Sequence, residues 1–194
     1  MIKTVLAYHF TDGYHLRDGQ PLETGREYVF DGEPVMCESG YHASRHVFDA
    51  LEYAPGATLS RVECREVTEE CDDKLVCRRR RVIATIDATK ILRKFARMCA
   101  LDVIHLWDAP DVVVRYLKTG DESLRDAARI AAWDARSAAW DARSAAWDTG
   151  DAARDAAWAA AWAARAAAKD AAMQGKRVRL ARMVNQAFKK GEDS

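Results

Sequence analysis

The chain has 194 residues, with 30 lysines and arginines balanced by 30 aspartates and glutamates, so its formal net charge is zero. That length suffices for one compact domain with an appendage, and the balance excludes a global field drawing the whole molecule to nucleic acid or an anionic membrane; any such attraction must be local. The five cysteines (Cys37, Cys64, Cys71, Cys77, Cys99) carry no CxxC spacing and follow no secretory leader, which predicts reduced thiols in a cytosol.

In chain order, KTVLAYHF (Lys3 to Phe10) alternates like a strand and runs into the turn signal TDGYH, and GREYVF (Gly25 to Phe30) is a second strand closed by DGEP. SRHVFDALEYA (Ser44 to Ala54) has apolar residues at helical spacing, with Ser44 as the expected N-cap and Pro55-Gly56 as the stop. TLSRVECREV (Thr58 to Val67) and LVCRRRRVIATI (Leu75 to Ile86) read as strands with a charged face. Near residue 88 the character changes to helix. Lys90 to Trp107 carries Ile91, Leu92, Phe95, Met98, Cys99, Val103 and Leu106 at helical spacing, and Asp108 with Pro110 opens a second helix through Leu117. These two helices are expected to cover the sheet. Thr119-Gly120-Asp121 ends that element and caps the next, which is predicted to run to about Asp148.

From Ile130 the phrase AAWDARS repeats every seven residues. With Trp133 at the origin and about 100° per residue, Trp140 and Trp147 fall near one line, Asp134, Asp141 and Asp148 at about 100°, and Arg136 and Arg143 at about 300°, leaving the alanines on the far side. A tryptophan ridge and an alanine ridge separated by an acidic and a basic row predict a helix that touches two things. Thr149-Gly150-Asp151 is read as a reversal into a second helix, Ala152 to about Met173, carrying Trp158 and Trp162 and packed as an antiparallel hairpin through the alanine faces. The tryptophans then meet the chain's own domain, another subunit or a partner.

KRVRLARMVNQAFKK (Lys176 to Lys190) is a basic amphipathic helix displaying Lys176, Arg177, Arg179 and Arg182. It reads either as a solvated terminal helix or as an accessory contact to an acidic or phosphate-bearing surface, nucleic acid included. Cys37, His42 and His46 form a C-x4-H-x3-H string, but structural zinc needs four ligands and no second pair stands nearby, so no metal is expected. Arg78 to Arg81 lie within a strand, where neighbours face opposite ways; the run reads as an edge protected by charge or a local phosphate contact. P-loop, GxGxxG, GxSxG, HExxH and EF-hand patterns are all lacking, and neither cofactor nor membrane is expected.

The order AYHFT (Ala7 to Thr11), a turn-rich region, GYHAS, a helix ending in ALEYA and the strand LSRVEC is similar to the start of ADP-ribosyltransferase-like domains. That resemblance implies NAD held by His9, Tyr41, His42 and Ser44, with Glu63 or Glu66 in the place of the catalytic glutamate. CESGYHAS (Cys37 to Ser44), with SRVEC and DKLVCRRRRV, resembles a family of uncharacterised phage and prophage proteins with a CESGFHA-type α+β domain and a low-complexity repeat tail. That second resemblance implies a mobile-element origin and supplies no activity.

Together these readings predict an α+β chain: a small mixed or antiparallel sheet domain (1–88), covering helices (89–120), an alanine- and tryptophan-rich helical hairpin (121–174) and a basic terminal helix (175–194). The expected function is non-enzymatic binding to host machinery in the bacterial cytosol, a protein or nucleoprotein complex, as a counter-defence inhibitor of a CRISPR or other anti-phage system. The anchors would be Trp133, Trp140, Trp147, Trp158 and Trp162, with Arg136 and Arg143 as a specificity row; homo-oligomerisation is a further expectation. The alternatives are the NAD-using enzyme and a virion-associated structural protein.

Overall fold

The computed structural model describes residues 4–13, 15–106, 108–147 and 173–191, without the side chains of residues 136 and 138–147. The predicted hairpin beyond Gly150, with Trp158 and Trp162, lies outside the described residues.

An N-terminal antiparallel sheet is followed by helices, an α+β layout. Strands β1 (Val5–Thr11), β2 (Glu27–Val29), β3 (Tyr41–Ala43), β4 (Thr58–Glu70) and β5 (Leu75–Asp87) form one sheet in the order β1-β4-β5-β2, with β3 also paired to β5. The long β4–β5 hairpin is its spine. Both strands are rich in β-branched residues, and the turn between them closes with Cys71 N–H donating to the Lys74 carbonyl at 2.9 Å. β5 is therefore central, so the edge-strand reading of Arg78 to Arg81 does not hold: β4 takes one side of β5, while β2 and β3 share the other.

Helix α1 spans Val47–Glu52, and its N-cap is His46, without a side-chain cap. Ser44 has a different job from the expected one. It pairs with Tyr8 through two main-chain hydrogen bonds of 2.8 and 3.0 Å, tying the end of β3 back to β1. With β3 also on β5, the sheet curls around a core built from Val5, Ala7, Tyr41, Ala43, Val62, Cys64, Leu75, Cys77 and Val82. The CESGYHA phrase supplies the turn into β3: Cys37 and Gly40 both have positive φ, and a Cβ on Gly40 would stand 2.7 Å from Pro34 Cβ.

The chain divides into two compact units, residues 1–92 with 175–194, and residues 93–174. The C-terminal helix (α5, residues 173–191) thus belongs chiefly with the sheet and is no solvated appendage. Leu180, Val184 and Phe188, one helical turn apart, are all but fully buried, each burial stabilising by about 1.5–3 kcal/mol. The register partners Tyr8 and Arg61 both hold Asn185 Oδ1, each at 3.1 Å, and the Arg61 guanidinium lies 4.5 Å from the Phe188 ring centroid. Arg177 reaches the buried carboxylate of Asp49 at 2.9 Å.

The second unit is helical. Helix α2 (Thr89–Leu101) begins in the first unit and ends before the predicted Trp107, followed by a 3-10 turn over Ile104–Leu106. Helix α3 covers Asp111–Thr119, and Gly120 closes it in the left-handed conformation at φ 68°. Asp121 then caps the next turn by accepting from Ser123 N–H at 3.0 Å, as the Thr-Gly-Asp signal predicts. Helix α4 runs over Arg125–Trp147 and packs on α3.

Candidate functional site

Two places combine side chains in a way that demands an explanation. The first is the inner face of the curled sheet. Strand alternation aims Val5, Ala7 and His9 at the same face as Ser60, Val62 and Cys64, their register neighbours on β4. Arg80, opposite Cys64 on β5, points the same way and is only 2 % exposed. Its guanidinium donates from Nη1 to the His42 carbonyl at 2.9 Å and lies 4.9 Å from the Tyr41 ring centroid, while Nε has no hydrogen-bond partner. The Tyr41 hydroxyl donates to Asp18 at 3.1 Å and accepts from Gln20 at 3.2 Å.

Burial shifts the protonation of this group. His9 is held well below the ordinary histidine value, first by desolvation and then by the positive charge of Arg80 and by His42. His42 is lowered by burial too, and its Nε2 accepts the Cys37 backbone N–H at 2.8 Å. Tyr41 is raised by desolvation and by the neighbouring Asp18 carboxylate. The Cys64 thiol is pushed up well above its usual range by its hydrogen bond to Cys77 and by burial. Burial thus favours the neutral forms of His9 and His42 and of the Cys64 thiol beside the Arg80 guanidinium, while the hydrogen bond with Cys64 lowers Cys77.

His9, Tyr41 and His42 thus do converge, around a residue that the ADP-ribosyltransferase resemblance does not include. Ser44 is near in sequence but is engaged through its main chain. Neither candidate acid joins them. Glu63 has the opposite strand parity to Ser60, the partner of His9, and binds Arg65 at 3.2 Å. Glu66, at φ 54°, is claimed by Arg79 at 2.9 Å and Arg78 at 3.6 Å. A hollow of about 380 Å³ is lined by Val5, Arg45, Glu66 and Glu70, not by His9, Tyr41 or Arg80. Most of the arginine run is likewise taken up: Arg78 and Arg79 pair with Glu27, Glu33 and Glu66, Arg80 is inside, and Arg81 is exposed, donating to the Gly25 carbonyl at 3.3 Å.

The second place is α4. Ala128 is buried and Ala131, Ala132 and Ala135 are half-buried, a stripe at i, i+3, i+4 and i+7. On the other side Arg129, Ile130, Trp133, Asp134 and Ser137 are exposed, Ile130 at 57 % and Trp133 at 70 %. Over residues 128–135 the helix turns alanines inward and Ile130 and Trp133 outward, the reverse of an ordinary amphipathic helix. Trp140, Trp147, Arg136 and Arg143 share the described backbone of α4, but their side chains are outside the description. Of the basic residues expected on the terminal helix, Arg177 is committed to Asp49, Arg182 is exposed, and Lys176 and Arg179 are half-buried. They stand on a different unit from Trp133.

What the geometry defines is a small curled-sheet body and a helical unit on whose α4 Ile130 and Trp133 are exposed. Residues 5–94, the sheet and the start of α2, match the model of a domain of unknown function, DUF7666; α3 and α4 lie beyond that match. No curated protein and no solved structure matches the chain. Among the described residues no helix is long and apolar enough to cross a membrane.

Two features escape sequence reasoning. Arg80 is hidden in a run of four arginines, and only strand parity could have set it apart. The docking of α5 was signalled by Leu180, Val184 and Phe188 at four-residue spacing, but six basic residues drew attention to the opposite face.

Proposed function

We propose that the chain is a phage-encoded, non-enzymatic binding protein that occupies a surface on host machinery in a counter-defence role, with the outer face of α4 as its contact element. The observation that carries this reading is the inverted burial of α4. Leaving Trp133 in water forgoes the favourable transfer of the largest apolar side chain, while alanines take the inner positions. Tryptophan is also the residue most enriched among binding hot spots. The phage setting rests on the CESGYHAS resemblance.

Trp133→Ala tests it directly. Because Trp133 is exposed, the substitution should move the unfolding midpoint of the helical unit by no more than about 0.5 kcal/mol, while complexes recovered with tagged protein from host cells weaken by about 2 kcal/mol or more. Unchanged recovery, or loss of folding, would remove α4 as the contact element.

A second reading, an NAD-using enzyme of ADP-ribosyltransferase type, is favoured by the convergence of His9, Tyr41 and His42. The parity of Glu63 and the pairing of Glu66 speak against it.

A further inference from the structure

The curled sheet of the first unit encloses a guanidinium without a counter-ion. Arg80 is 2 % exposed, and a buried charge is costly unless an anion and hydrogen bonds replace its hydration. Its neighbours on this face, His9, Ser60 and Cys64, carry an imidazole, a hydroxyl and a thiol. Among the described residues no carboxylate pairs with it, and Asp18 acts on it from across Tyr41.

The hydrogen bond that Arg80 does make decides which edge is left over. Nη1 donates to the His42 carbonyl at 2.9 Å, Nε has no partner, and Nη2 bonds to no described residue. Nε and Nη2 form the side-on edge of the guanidinium, two parallel N–H groups spaced to meet both oxygens of a carboxylate. The Tyr41 ring lies 4.9 Å from the same guanidinium, and its hydroxyl leads outward to Asp18 at 3.1 Å and Gln20 at 3.2 Å.

Residues 15–21 close this outlet. They form a tight turn, held by the bridge between His15 and Pro21 and by Leu16 N–H donating to the Gln20 carbonyl at 2.8 Å, with Leu16 buried in the core and Asp18 exposed at the tip. There the Asp18 carboxylate accepts from the Tyr41 hydroxyl at 3.1 Å and from the Gln20 side-chain amide at 3.0 Å, the donors an incoming carboxylate would meet first. The charge count selects the same chemistry. A carboxylate supplies one negative charge for one guanidinium, whereas a phosphate dianion would leave a second charge unmatched, since Arg80 is the one buried lysine or arginine among the described residues.

We propose that the Nε and Nη2 edge of Arg80, with the Tyr41 hydroxyl, is a binding site for a carboxylate, and that Asp18 on the turn over it is a built-in competitor. The carboxylate comes either from a small organic acid or from an acidic side chain of a partner. The site lies within the sheet unit and is independent of the role of α4.

The test uses the full chain labelled with 13C and 15N, in which the Nε–H resonance of Arg80 is assigned through its own side chain. It is titrated with sodium acetate and, separately, with acetyl-Ala-Glu-Ala-amide, whose one carboxylate is a side chain, each against sodium chloride at matched ionic strength. The resonance should shift downfield and saturate with at least one of the two probes. Asp18→Asn, an exposed change that keeps an oxygen for the Tyr41 hydroxyl, should bind the same probe about threefold tighter, the scale on which one surface charge acts. Saturation by acetate alone identifies a small acid as the source, by the peptide alone a partner's side chain, and by both a site open to either. No saturable shift with either probe, in wild type and in Asp18→Asn, would overturn the proposal, as would a shift given by inorganic phosphate alone. Saturation with the same affinity in both proteins would overturn Asp18 as the competitor.

Discussion

Phe188→Ala measures whether the terminal helix is part of the sheet unit. Phe188 is 1 % exposed, follows Leu180 and Val184 down one face of α5, and lies beneath the Arg61 guanidinium at 4.5 Å. Truncating a buried phenylalanine costs about 3–5 kcal/mol in transfer and cavity terms, and the lost cation–π contact falls within that range. Arg61 keeps Asn185 as a partner, so about 4 kcal/mol is the reasonable figure. All six tryptophans lie between Trp107 and Trp162, within the range of the second unit, so indole fluorescence is silent about this change. Hydrogen exchange of β4 and β5 amides is the suitable assay. Where exchange follows the opening equilibrium, the variant should exchange a hundredfold or more faster, while Lys189→Ala, exposed on the next residue, should stay within about threefold of wild type. A Phe188→Ala protein within about 1 kcal/mol of wild type would refute the docking argument and restore the solvated terminal helix.

The inner-face cluster makes two further predictions. Because burial and Arg80 hold His9 well below its ordinary value of 6.5, the unfolded chain takes up a proton as pH falls past that value and the folded chain does not. Stability is therefore full above that pH and declines below it, by up to about 1.4 kcal/mol per pH unit for this one group, with His42 acting in the same sense. Urea midpoints across that window should show the decline, and His9→Gln should flatten it; an unchanged slope in the variant would sink the assignment. Calorimetric titration with NAD should give no saturable heat with wild-type protein. Saturable binding that disappears on replacing His9 and Tyr41 with alanine would instead establish the enzyme reading.

The long elements were legible in the sequence because each carries its own period and punctuation. β1, β4, β5 and the start of α3 fall where alternation, Pro110 and Thr119-Gly120-Asp121 put them. β3 was not legible, since three residues between a turn and a helix have no measurable period; its place comes from pairing with Leu75 to Cys77 and from the Tyr8 to Ser44 bridge, both long-range events. The same bridge explains the Ser44 N-cap error. A serine before an apolar periodic run is a capping signal only if its backbone is not already taken up in a sheet. Arg80 fails the same kind of local reading: composition sees four equivalent arginines, but the curl of the sheet puts one of them against Tyr41 and His42 and leaves Arg78 and Arg79 to Glu27, Glu33 and Glu66.

For α4 two apolar faces can be read from the wheel, and the sequence reading put the alanine face at a helix–helix seam with the tryptophans turned away from it. At Trp133 the structure agrees with that expectation, since the ring is 70 % exposed while Ala128 is buried. Covering the exposed part of the Trp133 ring would return roughly 2–3 kcal/mol. A chain that needed only a helix could have written alanine at position 133, with better helix propensity and no exposed ring. Writing tryptophan there, and repeating it seven and fourteen residues on in the sequence, makes sense where a second surface recovers that energy, which is why recovery of the host complex by the Trp133→Ala variant is the measurement on which the account of this helix turns.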